Sequence, residues 1–460
     1  MQEMWYNIKM MPIVEMLNKY AQSNNIRLHM PGHKGDIEIE SLKSVAKIDV
    51  TELSVTDNLY NPTGAIKESQ QLYAELFGVK YAFFGVNGST AGNLAFTALY
   101  DNYVVSRNCH RSIFNGLQLG KKETVVINNR FNRGKYLPLE LEDVIVTIEN
   151  SPLTQAVILT NPDYYGYTIP LEEIYDYLKS KGIKLFVDSA HGAHFGLSEK
   201  LPQNVMRNCD AAVVSTHKTL LALTQTAVVM CNDDYLAASL KDKLRLFTTT
   251  SPSFILLASI DYAREMASSA AADYERILNL RKKLEYDLKL SCDVLLEHND
   301  DFTRLVLDLS RLNISGLDAN TFMENNGLYF EMFDDIRLVA IITHIDKKDV
   351  FDKIYTACLK LYKAVKNNEI KKSNINFLKI EREQIYFPLQ LNEVNSTMVL
   401  LKNAVGKIAA ADAGVIPPCI PILLKGEKIN SYAIEVLTTL MDSNCKNVYG
   451  VINGCVEVFE

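Results

Sequence analysis

Short apolar runs alternate with helical stretches between residues 80 and 230. The strand candidates are the runs 81–86, 103–106, 156–160, 185–188, 211–215 and 226–230. A helix is predicted over residues 170–181, with a proline at its first position and Gly182 just past its end. Apolar strands that alternate with helices are typical of an α/β fold whose mostly parallel central sheet is covered on both faces.

The pattern changes beyond residue 250. Residues 255–290 are rich in Ala, Arg, Lys, Glu and Leu without proline, which predicts one long helix leading to a second domain. The runs 303–309, 328–333 and 338–343 are β-like, and a later helix has its core face at Val350, Ile354, Cys358 and Leu361. These elements indicate a smaller α+β domain.

We therefore predict an N-terminal helical segment over residues 1–28, a large domain over 29–285 and a C-terminal α+β domain over 286–460. A chain of 460 residues is too long for one ordinary core. Near the end, the proline-rich run 417–421 and Gly426 form a rigid segment of the kind that lines a cleft.

Composition narrows the class of protein. A hydrophobic content of 48% with 22% charged residues is that of a soluble globular protein, and the net charge of -7 argues against nucleic acid as a partner. Residues 1–10 contain no long apolar run, so neither a signal peptide nor a membrane span is expected. The eight cysteines are scattered without a CxxC spacing, which favours reduced thiols in the cytosol.

Polar residues fall at the predicted carboxyl ends of the strands, where open α/β sheets bind ligands. Lys218 comes just after the strand 211–215. Partial desolvation there would free its amine as a nucleophile toward an aldehyde, whereas the alternative is an ordinary solvated lysine. Asp188 ends the strand 185–188 and could pair with a protonated ring nitrogen, or serve as a turn or cap aspartate.

The turn at residues 88–93 leads from a strand into a helix and begins Gly88-Ser89-Thr90. Backbone N–H groups and two hydroxyls at a helix start can bind a phosphate, although an N-cap serine has the same pattern. Neither the GxxxxGK[ST] nor the GxGxxG nucleotide motif is present.

Three histidines follow strands. His110 could stack on a flat cofactor or be satisfied by loop carbonyls. Asp188, His191 and His194 spell DxxHxxH, a spacing open to a metal. A strand-end loop does not hold such a spacing as a helix does, so no metal is predicted.

A series of motifs runs through nearly the whole chain. They are MPGHKG at 30–35, DVTEL at 49–53, NLYNPTG at 58–64, NGST at 87–90, RNCHRS at 107–112, VDSAHGAH at 187–194, STHKTL at 215–220, TTTSPSF at 248–254 and IPPCIP at 416–421. In this order they resemble the ornithine/lysine/arginine decarboxylase family in its shorter bacterial form. That family belongs to the fold-type I enzymes, which use pyridoxal 5'-phosphate (PLP).

The resemblance implies a fold-type I large domain with a smaller C-terminal domain, and a role for each matching residue. Lys218 would form the Schiff base with PLP, and Asp188 would pair with the pyridinium nitrogen. His110 would stack on the ring and His191 would lie beside it. The groups expected to hold the phosphate are Ser89, Thr90, Ser215, His217 and, from the neighbouring subunit of a homodimer, Thr249.

The implied reaction is decarboxylation of a basic amino acid (arginine, lysine or ornithine), giving CO2 and agmatine or a diamine, as in polyamine biosynthesis. Lys218 or His217 would return a proton to Cα. Asp57 and Glu52 are candidates for binding the distal cation, and each could equally be a capping or surface residue.

The chain departs from the family pattern at three places. Ser189 stands where the family usually has an acid, and Cys419 where a glycine usually follows the two prolines. Residues 226–230 replace a short run that often ends in histidine. These departures bear on the substrate rather than on the cofactor core.

Two other functions fit parts of the sequence. An aminotransferase or sulfur-lyase of the same fold shares the lysine and the aspartate, and typically binds the substrate α-carboxylate with a small-domain arginine such as Arg304, Arg311 or Arg337. A catalytically silent paralogue would bind a polyamine or a partner protein instead.

Overall fold

The structure is a computed structural model, and it describes residues 10–23, 25–132, 135–370, 372, 394–442 and 447–460. Residues 1–9 and 24 of the predicted N-terminal segment, and Cys445, lie outside the described residues. Within this part, no helix is both long and apolar enough to span a membrane.

The α-helices are, in chain order, α1 (Pro12–Ala21), α2 (Glu40–Ile48), α3 (Ala65–Phe77), α4 (Gly88–Thr97), α5 (Arg111–Leu119), α6 (Leu141–Glu149), α7 (Leu171–Ser180), α8 (Thr216–Thr219), α9 (Asp234–Phe247), α10 (Phe254–Ala267), α11 (Ala271–Ser291), α12 (Gly316–Asn325), α13 (Lys348–Lys366) and α14 (Ser431–Asp442).

The strands are β1 (Tyr81–Gly85), β2 (Asn102–Ser106), β3 (Glu123–Ile127), β4 (Phe131–Asn132), β5 (Lys135–Tyr136), β6 (Ala156–Thr160), β7 (Lys184–Asp188), β8 (Ala211–Val214), β9 (Ala227–Cys231), β10 (Leu295–Leu296), β11 (Arg304–Asp308), β12 (Met332–Phe333), β13 (Arg337–Ile341), β14 (Ser396–Leu400), β15 (Gly414–Val415), β16 (Val448–Tyr449) and β17 (Cys455–Phe459).

The chain divides into two compact units. The first consists of Met1–Leu99 and Phe186–Glu275, and the second of Tyr100–Leu185 and Arg276–Glu460. The predicted boundaries at residues 28 and 285 stay predictions.

In the first unit, the strands lie in the order β1, β9, β8, β7. β7 runs parallel to β8, with Asp188 opposite Val213, whereas β9 is antiparallel to both β8 and β1. Helix α1 is fixed to α10 by the buried Asp261, whose carboxylate accepts a hydrogen bond from the Ile13 N–H at 2.8 Å and from the Ser69 hydroxyl at 2.7 Å. The buried carboxylate thereby joins α1, α3 and α10.

In the second unit, β2 runs parallel to both β6 and β3. A four-stranded antiparallel sheet follows in the order β10, β11, β13, β12, with α12 and α13 in the same part of the chain. The last part contains α14 and the antiparallel pairs β14–β17 and β15–β16. The prediction of an α/β fold with a mostly parallel sheet and a smaller α+β part is confirmed.

The prediction of one long helix over 255–290 is wrong, because α10 ends at Ala267 and α11 begins at Ala271. The Ser268 hydroxyl donates to the Glu265 carbonyl at 2.7 Å and so competes with the helical backbone at the break. Two other predictions shift slightly. The run 328–333 is strand only at Met332–Phe333, and the core face of α13 uses Phe351 in place of Val350.

Candidate active site

Asp188 lies at the carboxyl end of β7, and its side chain is only 2% exposed. Its Oδ1 accepts the Ala190 N–H at 3.1 Å, and its Oδ2 accepts the Asn93 side-chain amide at 2.8 Å. A carboxylate has about four lone-pair directions, so these two donors leave it able to accept a third hydrogen bond. The contact with Ala190 is the turn contact that the sequence left open for Asp188. The contact with Asn93 adds a hydrogen bond from α4.

Lys218 lies in the one-turn helix α8, directly after β8. It is half-buried, and its Nζ is 3.0 Å from Nε2 of the buried His191. An ammonium group only donates hydrogen bonds, so Nε2 accepts when the lysine is charged. This environment differs from that of the solvated surface lysine that the sequence left open.

Three buried hydroxyls lie in α8 and at the carboxyl ends of β7 and β8. Ser215, Thr219 and Ser189 are each less than 2% exposed, and their side-chain oxygens have no hydrogen-bond partner among the described residues. Leaving a buried hydroxyl unpaired costs about 1–3 kcal/mol. Oxygen atoms of a bound ligand would pair with these hydroxyls and offset that cost. The three hydroxyls therefore fit a phosphorylated cofactor. Thr219 stands within the STHKTL motif, but its burial was not visible in the sequence.

The turn before β9 anchors α8. His217 donates from Nδ1 to the Thr226 carbonyl at 2.8 Å, and the Thr216 hydroxyl is 2.7 Å from the Thr226 hydroxyl. Residues 226–230, where the chain departs from the family pattern, supply this anchor and most of the buried strand β9. The residues at this departure therefore still hold α8, the helix that carries Lys218, in place.

Helix α4 begins at Gly88, which has φ +71°, a value that glycine adopts without strain. Asn87 is the N-cap residue, so Ser89 is not the ordinary N-cap serine that its pattern also allowed. Ser89 is half-buried and Thr90 is exposed, both in the first turn, where backbone N–H groups lack helical partners.

Thr249 lies beside this helix start in its own chain. Its backbone N–H donates to Asn87 Oδ1 at 3.4 Å, and its carbonyl accepts the Tyr60 hydroxyl. Its side chain is exposed. The prediction that Thr249 completes a phosphate site in a neighbouring subunit stays a prediction.

His110 belongs to the second unit, where it caps helix α5. Its Nδ1 accepts the Ser112 N–H at 3.1 Å and lies 2.8 Å from the Ser112 hydroxyl. The neutral ring therefore carries its proton on Nε2. Its stacking on a cofactor stays a prediction.

The DxxHxxH residues do not converge. Asp188 contacts Asn93, His191 contacts Lys218, and the His194 ring packs on Tyr274 with centroids 5.9 Å apart. Across the described ranges, no group of three or more His, Cys, Asp or Glu side chains is arranged to hold a metal ion.

Asp57 is a helix-capping residue. Its two oxygens accept the N–H groups of Asn58, Thr63, Gly64 and Ile66, all at 2.8–2.9 Å. Partial burial raises the pKa of Asp57, but the four backbone donors outweigh it and the pKa lies below its usual value. The Asp57 carboxylate therefore caps the start of α3 rather than facing a substrate cation. Glu52 accepts a hydrogen bond from the hydroxyl of the neighbouring Thr51 at 2.7 Å.

The proline-rich segment near the C-terminus is bound to the turn that carries His110. The backbone N–H of Arg111 donates to the Cys419 carbonyl at 2.9 Å. Arg107 is fully buried, and it donates to both carboxylate oxygens of Glu427 and to the Pro421 carbonyl. Glu427 was missed as a partner because it lies 320 positions from Arg107.

Three solved structures show which class of protein has this fold. The fold is that of fold-type I PLP-dependent enzymes, as the likeness to three solved structures indicates. Lysine decarboxylase LdcF of Francisella novicida superposes with a TM-score of 0.80 at 17% identity, over 99% of this chain and 82% of that one. Constitutive lysine decarboxylase of E. coli gives 0.78 at 17% identity, over 98% and 82%. Serine palmitoyltransferase of Sphingomonas wittichii gives 0.54 at 17% identity, over 66% and 77%.

The sequence model of the Orn/Lys/Arg decarboxylase major domain matches residues 11–292. The chain therefore belongs to the Orn/Lys/Arg decarboxylase family, and it is an amino acid decarboxylase. It is 29% identical to the uncharacterized protein YaaO of Bacillus subtilis, and 26% identical to the arginine decarboxylase of the same species. Each of these alignments covers 94% of this chain and 94% of the relative.

Proposed function

We propose that this protein is a PLP-dependent decarboxylase of a basic amino acid, and that it releases CO2 with agmatine or a diamine. One observation carries the proposal. A half-buried lysine amine contacts a buried imidazole in the same unit as a buried, doubly hydrogen-bonded carboxylate. Relatives named arginine decarboxylase and lysine decarboxylase support the substrate class.

Residues of the first unit would hold the cofactor. Lys218 would bind its aldehyde carbon, Asp188 would accept from its ring nitrogen, and His191 would lie beside the ring. The phosphate would be held by Ser89, Thr90, Ser215, His217 and Thr249. When bound, PLP supplies the electron sink for the pair released as the bond between Cα and the carboxylate breaks.

The protein's own groups handle protons. His191 Nε2 lies at hydrogen-bond distance from Lys218 Nζ, so the imidazole can accept a hydrogen bond from the lysine and hold its amine in place. Lys218 or His217 then returns a proton to Cα of the product. Asp188 is held by two N–H donors and nearly excluded from water, which keeps its orientation constant through the reaction.

The aminotransferase alternative is weakened by Arg337, one of its three candidate arginines. Arg337 is 2% exposed and donates to Glu297 at 2.5 Å and to Asp334 at 3.0 Å. Arg304 is fully buried, with Asp301 at 3.9 Å. The Arg337 guanidinium is therefore already paired with two carboxylates, whereas Arg311 is exposed. Measurement of CO2 against keto acid separates the two reactions.

Three further points are parts of this proposal. They are the choice of substrate among arginine, lysine and ornithine, a homodimer with shared active sites, and a cytosolic location. The reduced state of the thiols supports the location. Cys109, Cys209, Cys231, Cys292, Cys358, Cys419 and Cys455 are free thiols in the described part of the chain. Product analysis of the purified enzyme with each of the three amino acids decides the substrate.

Substitution of the lysine tests the proposal directly. Lys218→Ala is expected to lose both the absorbance band of bound PLP and all turnover, because Nζ is the amine that would bind the PLP aldehyde. Lys200→Ala, a change at an exposed lysine, is the matched control and should keep both. A Lys218→Ala protein that kept the band and the activity would refute the proposal.

A further inference from the structure

Helix α4 carries a buried amide one turn beyond Ser89. Asn93 is fully buried, and its Nδ2 donates to Asp188 Oδ2 at 2.8 Å across 95 positions of sequence. The other Asp188 oxygen accepts the Ala190 N–H, which belongs to the same turn as Asp188 itself. Asn93 is thus the donor that ties this carboxylate to a separate element of the fold.

The position of α4 against the sheet is tightly set. A Cβ atom at Gly92 would lie 2.6 Å from Val213 Cγ2 and 2.9 Å from Val229 Cγ2, distances that real Cβ atoms do not adopt. The backbone of α4 therefore rests directly on β8 and β9, and only glycine fits at the contact. Asn93 is the next residue of this helix, so the same contact fixes the position of its backbone.

Helix α4 also carries groups for both ends of the proposed cofactor site. Ser89 and Asn93 are four positions apart, so they lie on the same side of α4. The first turn offers groups for a phosphate, and the second turn holds the carboxylate for a ring nitrogen. A rigid helix keeps the separation of these groups constant.

We propose that Asn93 is a positioning residue, which orients Asp188 toward the ring nitrogen of PLP and keeps that carboxylate in register with the phosphate end of the site. The inference rests on the proposed function. Without the amide, Asp188 retains the Ala190 donor alone and can rotate. The bound ring then loses its fixed alignment between phosphate and carboxylate.

The experiment compares Asn93→Ala, Asn93→Leu and Thr97→Val. Thr97 is buried in the same helix, but its hydroxyl donates to the Leu94 carbonyl at 2.9 Å and does not touch Asp188. The affinity for added PLP and the induced circular dichroism of the PLP band are measured for each variant. Alanine introduces no clash, so it supplies the readout if the leucine variant does not fold.

Removing a hydrogen bond to a charged group should weaken PLP binding about 10- to 100-fold and change the dichroic band in both Asn93 variants. Thr97→Val should match the wild type. The inference is overturned if Asn93→Ala keeps wild-type affinity and dichroism, or if Thr97→Val loses them equally. A wild-type protein without a PLP band, or one whose band survives Lys218→Ala, would instead refute the proposed function.

Discussion

Arg107 and Glu427 form a buried two-point ion pair, in which Nε and an Nη atom of the arginine donate to the two carboxylate oxygens at 2.5 and 2.8 Å. The arginine side chain is fully buried and that of Glu427 is 4% exposed. Arg107 also donates a hydrogen bond from Nη1 to the Pro421 carbonyl. The pair therefore holds the C-terminal segment on the turn that precedes His110.

Breaking this pair should destabilise the protein strongly. Glu427→Ala leaves a buried guanidinium without its counter-charge, which typically costs 3–5 kcal/mol, or on the order of a third of a domain's stability. Denaturant unfolding of the purified variant gives the change in free energy. Glu40→Gln, which removes the exposed partner of Lys43, serves as the control and should cost under about 1 kcal/mol. Equal effects at the two sites would contradict this account.

Cys419 occupies a backbone conformation that favours glycine. Its φ is +61°, which explains why a glycine usually stands here in the family pattern. Left-handed backbone costs a non-glycine residue about 1–2 kcal/mol, and glycine gives back about 0.5–1 kcal/mol through its larger unfolded-state entropy. Cys419→Gly should therefore raise the free energy of unfolding by up to about 1 kcal/mol, measured by denaturant titration.

Cys419→Ala is the companion variant, since it removes the thiol but keeps the strained conformation. It should show no gain. A stabilisation of the alanine variant as large as that of the glycine variant would attribute the effect to the thiol rather than to the backbone.

Asp163 should make the stability depend on pH. Burial raises its pKa from 3.8 to about 6, although the N–H groups of Tyr165 and Tyr167 oppose the shift. Because the folded-state pKa is the higher one, the stabilising contribution is complete below pH about 4 and is lost as the pH rises through about 6. Ionisation then costs the folded state about 3 kcal/mol.

Asp163→Asn keeps an oxygen to accept both N–H groups but cannot ionise. The variant should match the wild type near pH 4 and exceed its unfolding free energy at pH 7. Parallel stability curves for the two proteins between pH 4 and 7 would show that Asp163 does not titrate in this range.

The shared active site of the proposed homodimer can be tested by mixing variants. If Thr249 acts across the interface, a hybrid of Lys218→Ala with Thr249→Ala contains one intact site. Random mixing should then restore about a quarter of wild-type activity, since half of the dimers are hybrids with one working site of two. Activity is measured after the two proteins are unfolded and refolded together.

Lys218→Ala mixed with Ser215→Ala provides the control, because both residues belong to α8 and its cap in one chain. That mixture should gain nothing over its separate components. A Thr249→Ala mixture that behaves in the same way would place Thr249 in the site of its own chain, beside Asn87.

The sequence by itself determined six strands between residues 81 and 231 to within one residue at each end. Apolar runs and helix boundary residues are local signals, so the strand predictions around Asp188 and Lys218 agree with β7 and β8. The ordered motifs were sufficient to place the chain in its family, because they depend on residue type and order alone.

Only the tertiary structure decided which distant groups meet. The Asn93–Asp188 and Arg107–Glu427 contacts join residues 95 and 320 positions apart, and nothing in the local pattern specifies them. The antiparallel direction of β9 and the capping role of Asp57 also depend on neighbours supplied by folding. Residue type determines what a side chain can bind. Packing of the whole chain determines which partner it reaches and how far water is excluded from that contact.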